Sequence, residues 1–211
     1  MFKFKTLIII FCLFITSKGY AHPHSFIDMQ VMPEIKQDQF IGLTFTWKMD
    51  PMTSVDIAYD LKKSKEDDIQ WKKQAATLMA NILAQNYFTD FYVQDKKIAL
   101  QHLPASYRLQ REGLQVVFTF TVLFVHPFPV KNANIEFLTY DPTFFVNMTY
   151  PNNKAIILTK ELNSECKITL QEPNVADELR LYAYSLDMNQ SAEDDDTLGL
   201  QFAQRVKIQC Q

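Results

Sequence analysis

Apolar and polar residues alternate from Phe26 to Ile35 and again from Phe40 to Lys48, with the polar Lys36-Gln37-Asp38-Gln39 between the two runs. Period-two alternation buries one face of a strand, so this spacing predicts an opening β-hairpin. From Lys65 to Tyr87 the period changes. Ile69, Ala75, Leu78, Met79, Ile82 and Leu83 recur at helical spacings behind the acidic Glu66-Asp67-Asp68, placed in the first turn, where negative charge favours a helix. This is the one long helix expected. Phe91-Tyr92-Val93 and Ile98-Ala99-Leu100 flank a turn at Asp95-Lys96-Lys97, and Ala105 to Gln110 and Leu114 to Val125 hinge at Glu112-Gly113. These read as successive antiparallel hairpins. Asn134 to Tyr140 and Phe144 to Tyr150 are strands on either side of Asp141-Pro142-Thr143, with Pro151-Asn152-Asn153 closing the second and Ala155 to Thr159 expected to pair with it. Val175 to Met188 is a second candidate helix, ending before the polar stretch Asn189 to Asp196. There is no internal repeat, low-complexity linker or domain boundary. The expected class is α+β, dominated by antiparallel sheet.

The first residues follow a different pattern. Lys3 and Lys5 precede an apolar run from Leu7 to Ile15, and Gly19-Tyr20-Ala21 places small residues where a signal peptidase reads. The run is too short for a permanent bilayer span, which takes roughly 20 apolar residues. Residues 1–21 are therefore expected to be a cleavable secretory signal, leaving residues 22–211 as one periplasmic domain. A lipoprotein reading fails because Cys12 lies inside the apolar run, behind Phe11.

Charge and cysteine content narrow the function classes. The whole chain has a formal charge of −3, and loss of Lys3, Lys5 and Lys18 with the signal makes it −6. That balance speaks against nucleic acid or an anionic membrane as a partner. Of three cysteines, Cys12 leaves with the signal, and Cys166 and Cys210 remain. Each lies in a strand-like run, Cys166 to Leu170 and Val206 to Cys210, and an oxidising compartment favours their pairing as a disulfide. The alternative is a pair of thiolate metal ligands, which lacks the close cysteine spacing of structural zinc sites.

Histidine is scarce, with four in the chain, yet two of them would occupy the first and third positions after cleavage at Ala21. An amino-terminal histidine offers both an α-amine and an imidazole, and His24 adds a second ring. The planar copper or nickel chelate that uses both intervening amide nitrogens is incomplete here, because Pro23 has no N–H to give up. Side-chain-led coordination remains, which suits tetrahedral zinc. Further ligands would come from Asp28, His102, His126 or Asp141. Asp28 falls on the same side of the first strand as His24 and Phe26. Counting by two puts His126 on the face of Phe118, Phe120, Val122 and Phe124, which makes it a core-rim histidine or a ligand. His102 sits in a polar connection, and Asp141 precedes a proline as turn formers do. Met29, Met32, Met49 and Met52 offer soft copper(I) ligands or plain core filling, and the Glu193-Asp194-Asp195-Asp196 run reads as a solvated loop. No Gly-x-Ser-x-Gly, His-Glu-x-x-His or phosphate-loop pattern occurs, so an enzyme is not expected.

Three stretches carry a resemblance. Ala21-His22-Pro23-His24-Ser25-Phe26-Ile27-Asp28, Tyr140-Asp141-Pro142-Thr143-Phe144-Phe145, and Leu198-Gly199-Leu200-Gln201-Phe202-Ala203 with the chain on to Cys210 resemble a bacterial periplasmic family of unknown function. Its members are commonly described as the periplasmic component of an uncharacterised ABC-type transport system, and the likeness is strongest to zinc-uptake members. It spans essentially the whole chain after the signal. The resemblance implies a periplasmic metal-handling protein that works with an inner-membrane permease similar to nickel/cobalt transporters, and it attaches function to His22, His24 and Asp28. The expectation is thus a non-enzymatic protein that binds zinc, or nickel, cobalt or copper, with His22 and His24 as ligands, Asp28 nearby and His126 or Asp141 contributing. A copper brace built on the amine and ring of His22 is one alternative, and an assembly module that binds no metal is another.

Overall fold

The computed structural model describes residues 24–61, 64–66, 68–186 and 197–211. The expected opening hairpin is present as β1 (Ser25–Lys36) and β2 (Gln39–Met49), in antiparallel register from Ile27 opposite Met49 to Lys36 opposite Gln39. Its two-residue turn holds Gln37 and Asp38 at φ 51° and 57°. Two positive φ values in succession give a turn whose twist matches that of the strands it joins. Alternation then works as expected: Ile27, Met29 and Val31 of β1 and Phe45, Trp47 and Met49 of β2 are buried.

A short helix that the periodicity did not signal follows at once, α1 (Pro51–Ala58). Its start is written in two residues, Asp50 as N-cap and Pro51 at the first helical position, where a proline loses no intrahelical bond. The long helix is α2 (Ile69–Ala84), shorter at both ends than the expected span of Lys65 to Tyr87. The Asp68 carboxylate accepts from the Lys65 N–H at 3.0 Å, closing a local turn, so the helix begins after the acidic residues and not among them. Trp71, Ala75, Met79 and Ile82 form its buried face. Asn86, Tyr87 and Phe88, all with positive φ, end the helical path before β3.

The remaining strands are β3 (Thr89–Val93), β4 (Lys96–Lys97), β5 (Ser106–Glu112), β6 (Gln115–Pro129), β7 (Asn134–Thr139), β8 (Val146–Thr149), β9 (Cys166–Gln171) and β10 (Arg205–Cys210). The helices α3 (Lys160–Glu165), α4 (Asp177–Ser185) and α5 (Leu198–Phe202) complete the described elements. The α+β class is as expected, and α4 falls inside the candidate second helix.

Two five-stranded sheets result, ordered β5-β6-β2-β1-β8 and β4-β3-β7-β10-β9. They share one buried cluster of apolar side chains. Across it the Phe91 ring of β3 lies 4.7 Å from Phe124 of β6, and within its own sheet 5.6 Å from Phe137 of β7. Aromatic pairs at such separations add about 0.5–1.5 kcal/mol each beyond the area they bury.

One strand pairing differs from expectation, and another could not be read from the sequence. The strands on either side of Asp141-Pro142-Thr143 lie in different sheets, β7 in the second and β8 in the first, where β8 runs parallel to β1 with Ser25 opposite Val146. Residues 155–159, expected to pair with β8, do not. The Asn152 side chain caps a short 3-10 turn at Asn153–Ala155, and the chain leaves it along β1, with the Ile157 N–H donating to the Val31 carbonyl at 2.8 Å. Local alternation identifies a strand but carries no information about which distant strand it will meet.

The cysteines meet as expected. Cys166 opens β9, Cys210 ends β10, the two face each other in register, and they form a disulfide.

Candidate functional site

The three sequence stretches singled out above converge at one corner of the first sheet. His24 is the residue before β1, and its N–H donates to the Phe145 carbonyl at 2.9 Å, while the two side-chain rings pack with centroids 4.6 Å apart. Phe145 ends the second stretch. Its neighbour Phe144 stacks on Phe202 of α5 at 3.9 Å, and the Gly199 N–H donates to the Pro142 carbonyl at 2.8 Å. A second small apolar cluster of Phe144, Ala183, Leu186 and Leu198 holds this corner together. Residues from three remote parts of the chain thereby fix the position of one imidazole.

A network around Asp50 holds the same strand end from the other side. The Asp50 carboxylate accepts from the Phe26 N–H at 3.0 Å, the Thr53 hydroxyl at 2.5 Å, the Met52 N–H at 2.8 Å and the Thr53 N–H at 3.1 Å. The Ser25 hydroxyl lies 2.7 Å from that of Thr53. Partial burial works to raise the Asp50 pKa, but the hydrogen bonds from Thr53, Phe26 and Met52 together outweigh it and hold the carboxyl below its ordinary value. This network was not foreseen from sequence. Its only visible signal was the Asp50-Pro51 pair, which also marks the helix start.

The candidate ligands separate in space. Asp28 shares the outward face of β1 with Phe26, as expected, and lines an open groove of about 540 Å³ with Gln30, Thr46, Lys48 and Glu112. Four residues of extended chain put it about 13 Å from His24, too far for both to bind one ion from straight side chains. Lys48 stands directly opposite Asp28 and bonds Glu112 at 2.7 Å, which sets a fixed cation beside that carboxylate. Asp141 is at the same corner as His24, but its carboxylate is occupied: it accepts from the Thr143 N–H at 3.0 Å, the Thr143 hydroxyl at 2.9 Å and the Val146 N–H at 3.0 Å. It is the turn former of the two roles weighed for it.

His126 is exposed, against the expectation from counting by two. The register of β6 on β2 passes from Leu123 opposite Gly42 to Phe128 opposite Phe40, so four residues of β6 answer one of β2 and the phase is lost in an irregular bulge. The bulge lies at the hairpin-turn end of β2, seven to eight residues from Lys48, which stands opposite Asp28, and His24 is four residues further along β1, so the separation is on the order of 35 Å. His126 belongs to no common site with His24. His102 is an exposed loop residue whose carbonyl lies 3.2 Å from the Tyr87 hydroxyl.

Met29 and Met49 are core residues, whereas Met32 and Met52 are exposed. His22 and the Glu193-Asp194-Asp195-Asp196 run lie outside the described residues, as does the proposed signal. Among the described residues no three histidine, cysteine, aspartate or glutamate side chains are grouped so as to hold a metal ion. Of the sequence-derived ligand set, His24 is the member whose backbone and ring the fold anchors, on Phe145.

The family model for a protein of unknown function, DUF1007, matches residues 7–210 of this chain. The chain belongs to that family. An uncharacterised protein of Haemophilus influenzae is 36% identical over 208 residues, which cover 98% of this chain and all of the relative. The family match, over residues 7–210, spans the converging corner and both disulfide cysteines.

Proposed function

We propose that this protein is an extracytoplasmic carrier of a divalent metal ion, zinc in the first place, which it binds through His24 and His22 and passes to a membrane permease. The observation that supports this reading is the anchoring of His24. Its backbone N–H and ring both contact Phe145, and His22 precedes it by two positions in the sequence. Two rings leave coordination positions of a tetrahedral ion open to a partner's ligands. Ligand exchange to a partner needs such an opening, since a closed four-ligand cage of structural type releases its ion slowly. The disulfide Cys166–Cys210 supports a location outside the cytosol, because reducing compartments do not sustain such bonds. The likeness of the His-Pro-His opening to zinc-uptake proteins, and of the family to permease-linked components, supports the cargo and the partner.

Titration of the exported protein, with its first residue read by mass spectrometry, tests the reading. Zinc, nickel, cobalt and copper are compared on the wild type and on His22→Ala and His24→Ala. Tight binding of one ion that each substitution weakens at least tenfold is the expected result. Equal, weak binding by all three proteins overturns it. Binding that survives His24→Ala but is lost when one residue is added before His22 selects the copper-brace alternative.

A further inference from the structure

Strand β5 forms one edge of the first sheet, and β6 and β2 separate it from β1. Arg111 of β5 and Val116 of β6 stand opposite each other, yet their N–H groups point apart. That of Arg111 donates to the Glu66 carboxylate at 3.2 Å and that of Val116 to the Ser54 hydroxyl at 2.9 Å. Antiparallel ladders alternate bonded and unbonded pairs, so Leu109 and Tyr107 repeat the arrangement of Arg111 and turn their N–H and C=O groups to the open edge. Among the described residues no backbone group meets them there. A cavity of about 370 Å³ lies on this edge, between β5 and α2. Its lining takes Tyr107 and Leu109 from one face of the strand, Arg108 from the other, and Trp71, Lys72 and Ala75 from α2. Leu109, Trp71 and Ala75 are buried and make an apolar floor, whereas Tyr107, Lys72 and Arg108 are exposed at the rim. None of the lining residues is acidic, and among the described residues neither Lys72 nor Arg108 forms an ion pair.

We propose that this edge binds the carboxyl-terminal end of an extended peptide whose last side chain is apolar. Two demands set by the edge select that occupant. Outward N–H groups call for acceptors and outward carbonyls for donors, and the backbone of an extended peptide supplies both at the spacing of a strand. A plain organic acid meets only the first. The cations Lys72 and Arg108 call for negative charge, and charges on an edge strand discourage pairing with a neutral or basic neighbour. The arriving segment therefore has to carry the anion, which a terminal carboxylate does. The fold already makes this contact on the next outward residue, where the Glu66 carboxylate takes the Arg111 N–H. In the complex the terminal carboxylate accepts from the Leu109 N–H in the same way, beside Lys72 and Arg108. Hydrogen bonds to an ionised acceptor are roughly twice as strong as neutral ones. The last side chain enters the cavity against Trp71, Ala75 and Leu109. The Arg111 guanidinium, 5.7 Å over the Trp71 ring, holds that wall in place. This proposal stands apart from the metal reading and does not require it.

Fluorescence polarisation of the exported protein tests it, with fluorescein-labelled Thr-Val-Thr-Val-Phe and Thr-Val-Thr-Val-Leu as probes. Each peptide is compared with its carboxyl-terminal amide, and N-acetylphenylalanine serves as a competitor that lacks the strand backbone. The variants are Lys72→Glu and Arg108→Glu, whose side chains are exposed, and near-ultraviolet circular dichroism verifies that each keeps the fold. At least one free-carboxylate peptide is expected to bind saturably, with at least tenfold loss for its amide and for each variant, and with little competition from N-acetylphenylalanine. In amide NMR spectra of the complex, the Tyr107 and Leu109 signals should move further than that of Arg111, whose N–H is already bonded. Absence of saturable binding, amides that bind as well as free acids, or variants that bind like the wild type each overturn the proposal. So does N-acetylphenylalanine that competes as well as the unlabelled peptide, which makes the cavity a small-acid site. Self-association that is lost in Arg108→Glu, with no peptide bound, overturns it too and assigns the edge to a second copy of the chain.

Discussion

Gly199 packs so closely on the carbonyl of Asp141 that a Cβ at position 199 would overlap that oxygen and the carbon that bears it. The contact joins α5 to the turn that positions Phe145, and Phe145 in turn positions His24. Gly199→Ala must push backbone against backbone, and overpacking of this kind costs about 1–3 kcal/mol. Thermal denaturation is expected to show a lower midpoint. If His24 is a ligand, the variant also binds zinc more weakly, although residue 199 offers no donor atom. A midpoint equal to that of the wild type contradicts this account of the corner.

The Cys166–Cys210 bridge closes a loop with a sequence separation of 44 and joins the last strand to its edge neighbour. In the chain-entropy model a loop of that size is worth about 4 kcal/mol. The paired Cys166→Ser/Cys210→Ser variant should lose an amount of that order in urea unfolding, and reductant should leave it unchanged while destabilising the wild type.

Acid should act through Asp50. Its carboxyl is held below the ordinary aspartate value by hydrogen bonds that exist only in the folded chain. A folded-state pKa lower than the unfolded one gives stability that is complete above the unfolded value of 3.8 and disappears as pH falls through the folded value. The melting temperature of the wild type should therefore drop more steeply below about pH 4 than that of Asp50→Asn, which has no such carboxylate to protonate. At neutral pH, Asp50→Ala loses an N-cap and should be destabilised by about 0.5–2 kcal/mol.

Alkali acts in the opposite sense. Burial pushes Tyr87 up to about 12, and burial together with the neighbouring Asp90 carboxylate does the same for Tyr140, whose hydroxyl donates to Asp90 at 3.0 Å. For an acid whose folded pKa is raised, the stability is full below the unfolded value of 10.0 and declines as pH rises through the folded one. Tyrosinate absorbance should show part of the tyrosines titrating only near pH 12 or together with unfolding. Tyr140→Phe should remove one of them.

Among the candidate ligands, distance decides. His126→Ala and Asp28→Asn are expected to leave zinc affinity within twofold of the wild type, because neither residue reaches the His24 corner. A tenfold loss in either variant, measured by competition with a zinc chelator, would move the site away from that corner.

The sequence by itself determined what depends on near neighbours. The hairpin of β1 and β2, the buried face of α2, the strand character of the cysteine runs and the turn at Asp141 all follow from spacing and residue type within about twenty positions. Even the unforeseen α1 is marked locally, by Asp50 and Pro51, although its eight residues are too few for a periodicity to stand out. Only the tertiary structure decided which strands share a sheet, that β8 lies parallel to β1, and that the bulge in β6 turns His126 out to solvent. It also decided that three stretches more than fifty residues apart meet at His24. The physical reason is that period-two alternation tells each strand which face to bury, whereas its partner is chosen by the packing of the whole core, and ligand distances are set only when that choice has been made.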